Sequence, residues 1–451
     1  MTPQAYQINY DGLPGPTHNF GGLGSGNIPS MENAMGRSRP RDAALQALYK
    51  MKQLSDMGIK QAILPPQERP DLRILRRVGF SGSDAQILEA AYRHAPDLLV
   101  ACSSSSSAWA ANAASVTGSL DAADKRVHIT PANLMSQFHR SLETETTQLL
   151  LYALFPDPDV FVHHDPLPSH ESFGDEGQAN QLHLSATPGG PGVTLMAWGR
   201  RAFGAKPQAP RRFIPRQTLE AAQSIARLHR LPDERLVFAE QNPEAIDAGV
   251  FHNDIIALAH QNLLIYHERA WLNHEEVVKE LRVKLARSCN VDLHVIRIAD
   301  HELHLSDLIA SYLLNSELIT LSTGRMALIA PLQARDNPHS LRFIERLLAE
   351  DNPVDNVYYF DIGESMKNGG GIRCGRLSVS LTASELKGAF DGVFLSPGLY
   401  KALIDWVLSH YREELLPGDI RDPKLLLESR TALDELTDLL DLGPVYPFQQ
   451  E

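Results

Sequence analysis

The chain has 451 residues, with 42 Lys and Arg against 55 Asp and Glu, a net charge of −13 and a pI near 5.8. Its 43% hydrophobic and 22% charged content is that of a globular protein able to bury a large core, which excludes disordered, collagen-like and disulfide-scaffold classes. The acidic balance speaks against nucleic acid as a partner, and no apolar run approaches the ~20 residues of a membrane span.

In chain order, apolar positions Leu45, Leu48, Met51 and Leu54 predict a helix over 42–57, closed by Gly58. A short apolar stretch at 62–64 stops at Pro65-Pro66. Ser83 and Gln86 have the spacing of a capping box opening a helix to about residue 95. The apolar run 98–102 predicts a buried strand ahead of the serines at 103–107. Strand patterns recur near 127–129, 160–162, 193–198, 236–239, 255–266, 293–298, 318–331, 357–362 and 377–381. Helical patterns recur near 218–228, 275–288, 340–349, 397–412 and 423–442. Strands paired through short turns, as at 259–263, favour mixed sheets over purely parallel ones. No linker separates the halves and no identity repeats at a fixed period, so the pattern predicts one continuous α/β body, a single domain over 1–451.

Three cysteines, Cys102, Cys289 and Cys374, without CxxC spacing, argue against a disulfide framework or a zinc knuckle and fit a reducing compartment. The first residues carry no basic and apolar signal pattern. The expectation is a soluble, cytoplasmic protein. Gly21, Gly22, Gly24 and Gly26 do not match a dinucleotide fingerprint, and no phosphate loop or GxSxG elbow occurs. His301-Glu-Leu-His304 is one residue short of HExxH, and His163-His164-Asp165 lacks a third spaced ligand, so no metal is expected.

Four stretches carry residue types suited to chemistry. Cys374 follows Asn368 and the glycines 369–371, where a thiol beside Arg373 has the surroundings for a lowered pKa and nucleophilic attack. His252 stands two residues before Asp254, as a general base with a nearby carboxylate. Gly174-Asp175-Glu176-Gly177 suits a carboxylate held against a cation. His139, Arg140 and Arg216, with the amide of Asn112, are placed to bind an anion. Taken alone, each also reads as an inert thiol after a turn, a loop histidine or a surface turn.

Together these stretches resemble a known family. The chain is similar to the N-succinylarginine dihydrolases of the pentein, or guanidine-modifying, superfamily. The blocks are THNFGGLGSGN at 17–27, PPQERP at 65–70, GFSGSD at 79–84, WAANAA at 109–114, FHRSLE at 138–143, GDEGQAN at 174–180, RQT at 216–218, QNPEAIDAGVFHND at 241–254 and ESMKNGGG at 364–371. The resemblance implies a pentein five-bladed β/α propeller with fivefold pseudosymmetry and an active site on its axis. It implies hydrolysis of N2-succinyl-L-arginine to N2-succinyl-L-ornithine, two ammonia and carbon dioxide, the second step of arginine catabolism by the succinyltransferase route. It implies Cys374 as nucleophile, His252 as general acid and base and Glu176 as catalytic acid. Substrate contacts carry over to Gly21, Gly22, Leu23, Gly24, Ser25, Gly26, Asn27, Ile28, Pro29 and Ser30, and to Asn112, His139, Arg140, Arg216, Asp254 and Asn368. A homodimer working without cofactor is implied as well.

One stretch departs from the family pattern. The family usually reads GGG-Pro-Ala-Cys-Leu around the nucleophile, whereas this chain has Ile372-Arg373-Cys374-Gly375. That departure motivates a rival reading, a non-catalytic succinylarginine-binding protein. A single-step guanidine hydrolase or deiminase is a second rival. A cysteine peptidase or transamidase is a third, although its local signatures are absent. Cys102 and Cys289 are read as small hydrophobes, ending a buried strand and a helix.

Overall fold

The computed structural model describes residues 4–204 and 209–450. In chain order its strands are β1 (Ala5–Gly12), β2 (Lys60–Leu64), β3 (Ala114–Thr117), β4 (Val127–Pro131), β5 (Phe161–His163), β6 (Gln181–Ser185), β7 (Gly192–Trp198) and β8 (Leu236–Glu240). They continue as β9 (Ala257–His260), β10 (Leu263–His267), β11 (His294–Ile298), β12 (Glu317–Thr320), β13 (Met326–Pro331), β14 (Val354–Phe360) and β15 (Arg376–Thr382). Five three-stranded sheets result, in the orders β15-β1-β2, β3-β4-β5, β6-β7-β8, β9-β10-β11 and β12-β13-β14.

Every sheet is built the same way. An antiparallel pair is followed by a crossover to a third, parallel strand. A helix fills each crossover, as parallel pairing requires: α1 (Pro40–Asp56), α2 (Thr144–Leu154), α3 (Leu219–Leu228), α4 (His274–Cys289) and α5 (Pro338–Ala349). The fifth unit closes the ring by pairing β15 with β1 from the other end of the chain, Tyr10 opposite Leu377. The first strands of the units, β3, β6, β9, β12 and β15, are neighbours around the axis. This is the fivefold β/α propeller.

The central strands are buried along their whole length, as in Leu263–His267 and Met326–Pro331. They therefore read as continuous apolar runs rather than alternation. The helices stop and start on side-chain caps. Thr218 accepts from the Ala221 amide at the start of α3, and Asn337 accepts from His339 and Ser340 at the start of α5. The Ser83–Gln86 capping box opens the helix Asp84–His94 as expected.

One expected element differs. The run 98–102 is the second half of the helix Pro96–Cys102, not a strand, and it packs Leu99 and Cys102 against Leu72, Leu75 and Leu88. Pro96 in the first turn, followed by Asp97, is a helix-opening signal. A five-residue apolar run has no periodicity able to contradict it. Cys102 accordingly ends a helix, and Cys289 ends α4 as expected. Two long helices, α6 (Pro397–His410) and α7 (Pro423–Leu439), cover the unit of β1, β2 and β15 from outside, sharing one apolar cluster with α1 and α2.

Candidate active site

The repeated architecture brings polar side chains to one end of the axis. Each axial strand is entered through a short turn, and each turn carries a functional group. Asn112 ends the turn Ala110–Asn112 before β3, and Glu176 precedes Gly177–Asn180 before β6. His252 and Asp254 lie in the turn at Asn253–Ile255 before β9. Asn315 ends Leu313–Asn315 before β12, and Cys374 sits in the turn before β15. Residues scattered over 262 positions of chain thus converge because five copies of one local geometry point the same way.

Cys374 is buried, with Sγ 3.2 Å from the Asn315 amide nitrogen and 3.5 Å from Asp254 Oδ2. Burial pushes the thiol pKa up, and the Asp254 charge pushes it the same way. The charge of Arg373 favours the thiolate but does not outweigh these effects, so the thiol pKa is raised and not lowered as expected. The Arg373 guanidinium turns away from the thiol and donates to the carbonyls of Ala257 at 3.2 Å and Gln181 at 2.7 Å. Burial also raises the Asp254 carboxyl pKa, opposed by His252 and Arg373.

His252 Nε2 lies 2.7 Å from Glu176 Oε2. Burial lowers the imidazole pKa, with Glu176 opposing. Burial alone would raise Glu176, but the hydrogen bond and charge of His252, with Arg216 and Arg140, hold it down at about 2. The carboxylate is gripped on its other oxygen by the Ser136 hydroxyl at 2.6 Å. Its backbone is fixed by Gln217 Oε1, which accepts from the Glu176 N–H, and by the Asn112 amide, which donates to the Glu176 carbonyl.

The cationic groups line the same end. Arg216 approaches Glu176 Oε2 at 3.8 Å, donates to the Ser25 carbonyl at 2.8 Å and lies over the Phe251 ring. Arg140 is clamped by Glu143, reaches Asn112 Oδ1 at 3.4 Å and lies over Trp109. His139 is buried beside these two guanidiniums, and burial with their charges lowers its pKa to about 3.

Two glycine-containing loops close over the cluster. Asn27 caps the helix Ile28–Glu32 and donates to the Gly369 carbonyl at 2.9 Å, tying the 21–30 loop to the loop that leads to Cys374. Asn368 donates to Ser105 Oγ at 3.1 Å, which explains one role of the serine run. Gly370 packs its α-carbon against the Trp109 indole nitrogen, where a Cβ has no room.

The structure therefore brings Cys374, Asp254, His252, Glu176, Arg216, Asn112, Arg140 and the loops around Asn27 and Asn368 into one network. His139 lies beside it without a side-chain hydrogen bond among the described residues. No hydrogen bond joins Cys374 to His252, so the thiol–imidazole pair of a cysteine peptidase is not formed. Sequence reasoning missed Asn315, Ser136 and Gln217, which hold Cys374 and Glu176. Among the described residues no group of three His, Cys, Asp or Glu is placed to hold a metal ion, and no helix is long and apolar enough to cross a membrane.

Comparison with known proteins fits this arrangement. Residues 4–449 match the family model described as succinylarginine dihydrolase. The N-succinylarginine dihydrolase of Idiomarina loihiensis is 49% identical over 449 residues, covering 99% of this chain and 100% of that one. That of Aeromonas hydrophila is 48% identical, covering 99% of each. Among solved structures, the N-terminal domain of ArgZ, an arginine dihydrolase from the ornithine–ammonia cycle in cyanobacteria, superposes with a TM-score of 0.49 at 14% identity, over 83% of this chain and 97% of that one.

Proposed function

Since the chain belongs to the succinylarginine dihydrolase family, we propose that the axial cluster is its active site, with Cys374 as nucleophile, His252 as general acid and base, and Glu176 as the acid that holds and charges the imidazole. The reaction converts N2-succinyl-L-arginine and two waters to N2-succinyl-L-ornithine, two ammonia and carbon dioxide. The carrying observation is a buried thiol against a carboxylate whose other oxygen, Asp254 Oδ1, has no hydrogen-bond partner, with His252 Nδ1 and Arg216 Nε likewise unpartnered nearby. Buried polar atoms of this kind await a ligand that satisfies them.

A guanidinium stays protonated in a protein, so carboxylates must orient it, and Asp254 and Glu176 supply them. Its charge offsets Asp254 and favours the Cys374 thiolate that the free site disfavours. The thiolate attacks the guanidino carbon, forming a C–S bond. His252, as imidazolium, protonates a departing nitrogen, and ammonia leaves. Neutral imidazole then takes a proton from water, whose oxygen attacks the same carbon and expels the thiolate. The product of this round is a ureido group, N2-succinylcitrulline.

A second round repeats the attack and expels a second ammonia. Water then releases a carbamate, which loses carbon dioxide. The ureido intermediate is neutral and binds the acids weakly. The succinyl carboxylate must hold it, through Arg216, Arg140, Asn112, His139, Asn368 and the 21–30 loop. Binding at that remote end supports chemistry at the reacting carbon.

This reading treats the chain as one catalytic domain and as a cytoplasmic homodimer acting without cofactor. Family resemblance supports these points, and sedimentation at micromolar concentration checks the dimer. The decisive experiment measures ammonia released per succinylarginine consumed, in wild type and Cys374→Ser. Two per substrate, abolished by the substitution, is the expected result. One per substrate would make the protein a deiminase. Binding without release would make it a succinylarginine-binding protein.

A further inference from the structure

Below the nucleophile loop, on the opposite side from Asp254, the axial strands enclose a second cavity of about 110 Å3. Its wall comes from β3, β6, β9 and β15, and it is polar: Gln178, Gln181, His183 and Ser378 line it together with Arg373 and Arg376. We propose that this axial cavity binds a small monovalent anion, of the size of bicarbonate, nitrate or bromide, between Arg373 and Arg376, and that its occupancy inhibits the enzyme.

The carboxylates nearest the cavity are already engaged. Asp121 is the acid that borders the cavity, and it is spent on His183 Nε2 at 2.9 Å, Arg235 at 3.1 Å and the Gly192 N–H at 2.7 Å. Glu317 is spent on Arg376 at 3.4 Å and on the Asn9 amide at 2.8 Å. Arg373 has no carboxylate within 4.0 Å among the described residues. Its partners are the two carbonyls of Gln181 and Ala257, which leave guanidinium N–H groups over. Arg376 is buried and lines the cavity; its Nε faces Glu317 at 3.4 Å and its Nη1 donates to Asn9 Oδ1 at 3.3 Å. One guanidinium without a carboxylate, beside a second that lines the same polar cavity, forms an anion site rather than a water pocket.

Arg373 adjoins Cys374, and the N–H groups of both rest on Asn315 Oδ1, at 3.1 and 3.2 Å. An anion on Arg373 cancels the positive potential that favours ionised Asp254 and a thiolate at Cys374, so the occupied state reacts more slowly. Since the anion and the substrate lie on opposite sides of the loop, inhibition is noncompetitive. Bicarbonate belongs to the class because the released carbon dioxide hydrates to it. Binding itself does not depend on the reaction.

Two measurements test this. Crystals of the wild-type protein soaked in bromide should show an anomalous peak between the two guanidiniums, and a peak absent there would overturn the proposal whatever the activity. Nitrate and bicarbonate, at ionic strength held constant with bulky gluconate, should lower kcat by about fivefold or more with KM little changed. Arg373→Ala should turn over succinylarginine at about the reduced rate of the anion-bound enzyme and lose both the peak and any further inhibition, while Arg373→Lys keeps part of each. Competitive inhibition, inhibition that persists in Arg373→Ala, or a peak without inhibition would each overturn it.

Discussion

The Asn315 side chain bonds both to the Cys374 sulfur and to the backbone that carries it: Nδ2 donates to Sγ at 3.2 Å, while Oδ1 accepts from the Arg373 and Cys374 N–H groups. The same amide therefore stabilises a thiolate and fixes its direction. Hydrogen bonds to charged groups are worth about 1.5–3 kcal/mol. Asn315→Ala should accordingly lower kcat by roughly ten- to a hundredfold. Slower alkylation of Cys374 by iodoacetamide at neutral pH, with melting temperature little changed, would separate this role from a loss of fold.

Asp254 has two opposed effects, which one substitution separates. Its charge raises the Cys374 pKa in the free site, yet in the proposed mechanism the same charge anchors the guanidinium. Asp254→Asn should lower the thiol pKa, shifting the alkylation profile of free enzyme to lower pH. Turnover should nevertheless fall by two or more orders of magnitude, because the substrate loses its carboxylate. In wild type, a guanidinium ligand that is not turned over should itself pull the alkylation profile down. An unchanged profile in both experiments would remove Asp254 from the argument.

How much of this was readable beforehand follows from the kind of signal each residue leaves. Central strands such as Met326–Pro331 are buried throughout and stand out as apolar runs. Cys374, Glu176 and His252 are flanked by glycines or polar neighbours that break the core pattern, and so drew attention. Asn315 sits in Leu313-Leu314-Asn315-Ser316, an apolar turn whose partner is 59 residues away, and nothing local marks it. The neighbouring Arg373 was visible, but adjacency in sequence does not say on which side of a loop a side chain turns. The fivefold repeat, implied by the family resemblance, leaves no periodic identity in the chain because its units share topology and not sequence; the faint trace is Asn at 112, 180, 253 and 315.

Acid should destabilise the protein before its carboxylates titrate. Burial lowers His18 to about 4 and His260 to about 3, as it does His139. In the unfolded chain these groups titrate near 6.5. Below that pH the unfolded state binds protons that the folded state refuses, so stability falls by about 1.4 kcal/mol per histidine per pH unit until each folded pKa is reached. Asp175, raised to about 6 by burial, partly offsets one of them. Glu176 joins later: its contribution is present above its unfolded value near 4.3 and is lost as pH falls towards about 2. Urea unfolding between pH 7 and 5 should show this loss. His260→Gln, keeping a contact to the Thr320 hydroxyl, should shed about one proton's worth of the slope; an unaltered slope would exclude His260 as a source.

Gly370 leaves no room for a methyl group against the Trp109 indole. Gly370→Ala must therefore displace either the Cys374 loop or Trp109, and Arg140 lies over that ring at 5.0 Å. Activity should fall at least a hundredfold, since misplacement by about 1 Å has that effect. Tryptophan fluorescence should shift while the far-ultraviolet circular dichroism stays native. Full activity would mean the loop is free to rearrange.

Arg216 separates binding at the remote end from chemistry. Its guanidinium is buried between the Phe251 ring, the Ser25 carbonyl and Glu176. Planar pairing with a carboxylate is something a lysine does not reproduce. Arg216→Ala should raise KM for succinylarginine by about ten- to a hundredfold, the worth of one charge-assisted hydrogen bond. The effect on free arginine, which lacks the succinyl carboxylate, should be small, and equal effects would place Arg216 elsewhere. A sharper readout is the product ratio. In the proposed mechanism the neutral ureido intermediate is retained mainly through its succinyl end, so the variant should release N2-succinylcitrulline, and ammonia per substrate should fall from two towards one. Two ammonia per substrate at raised KM would mean that Arg216 admits the substrate but does not retain the intermediate.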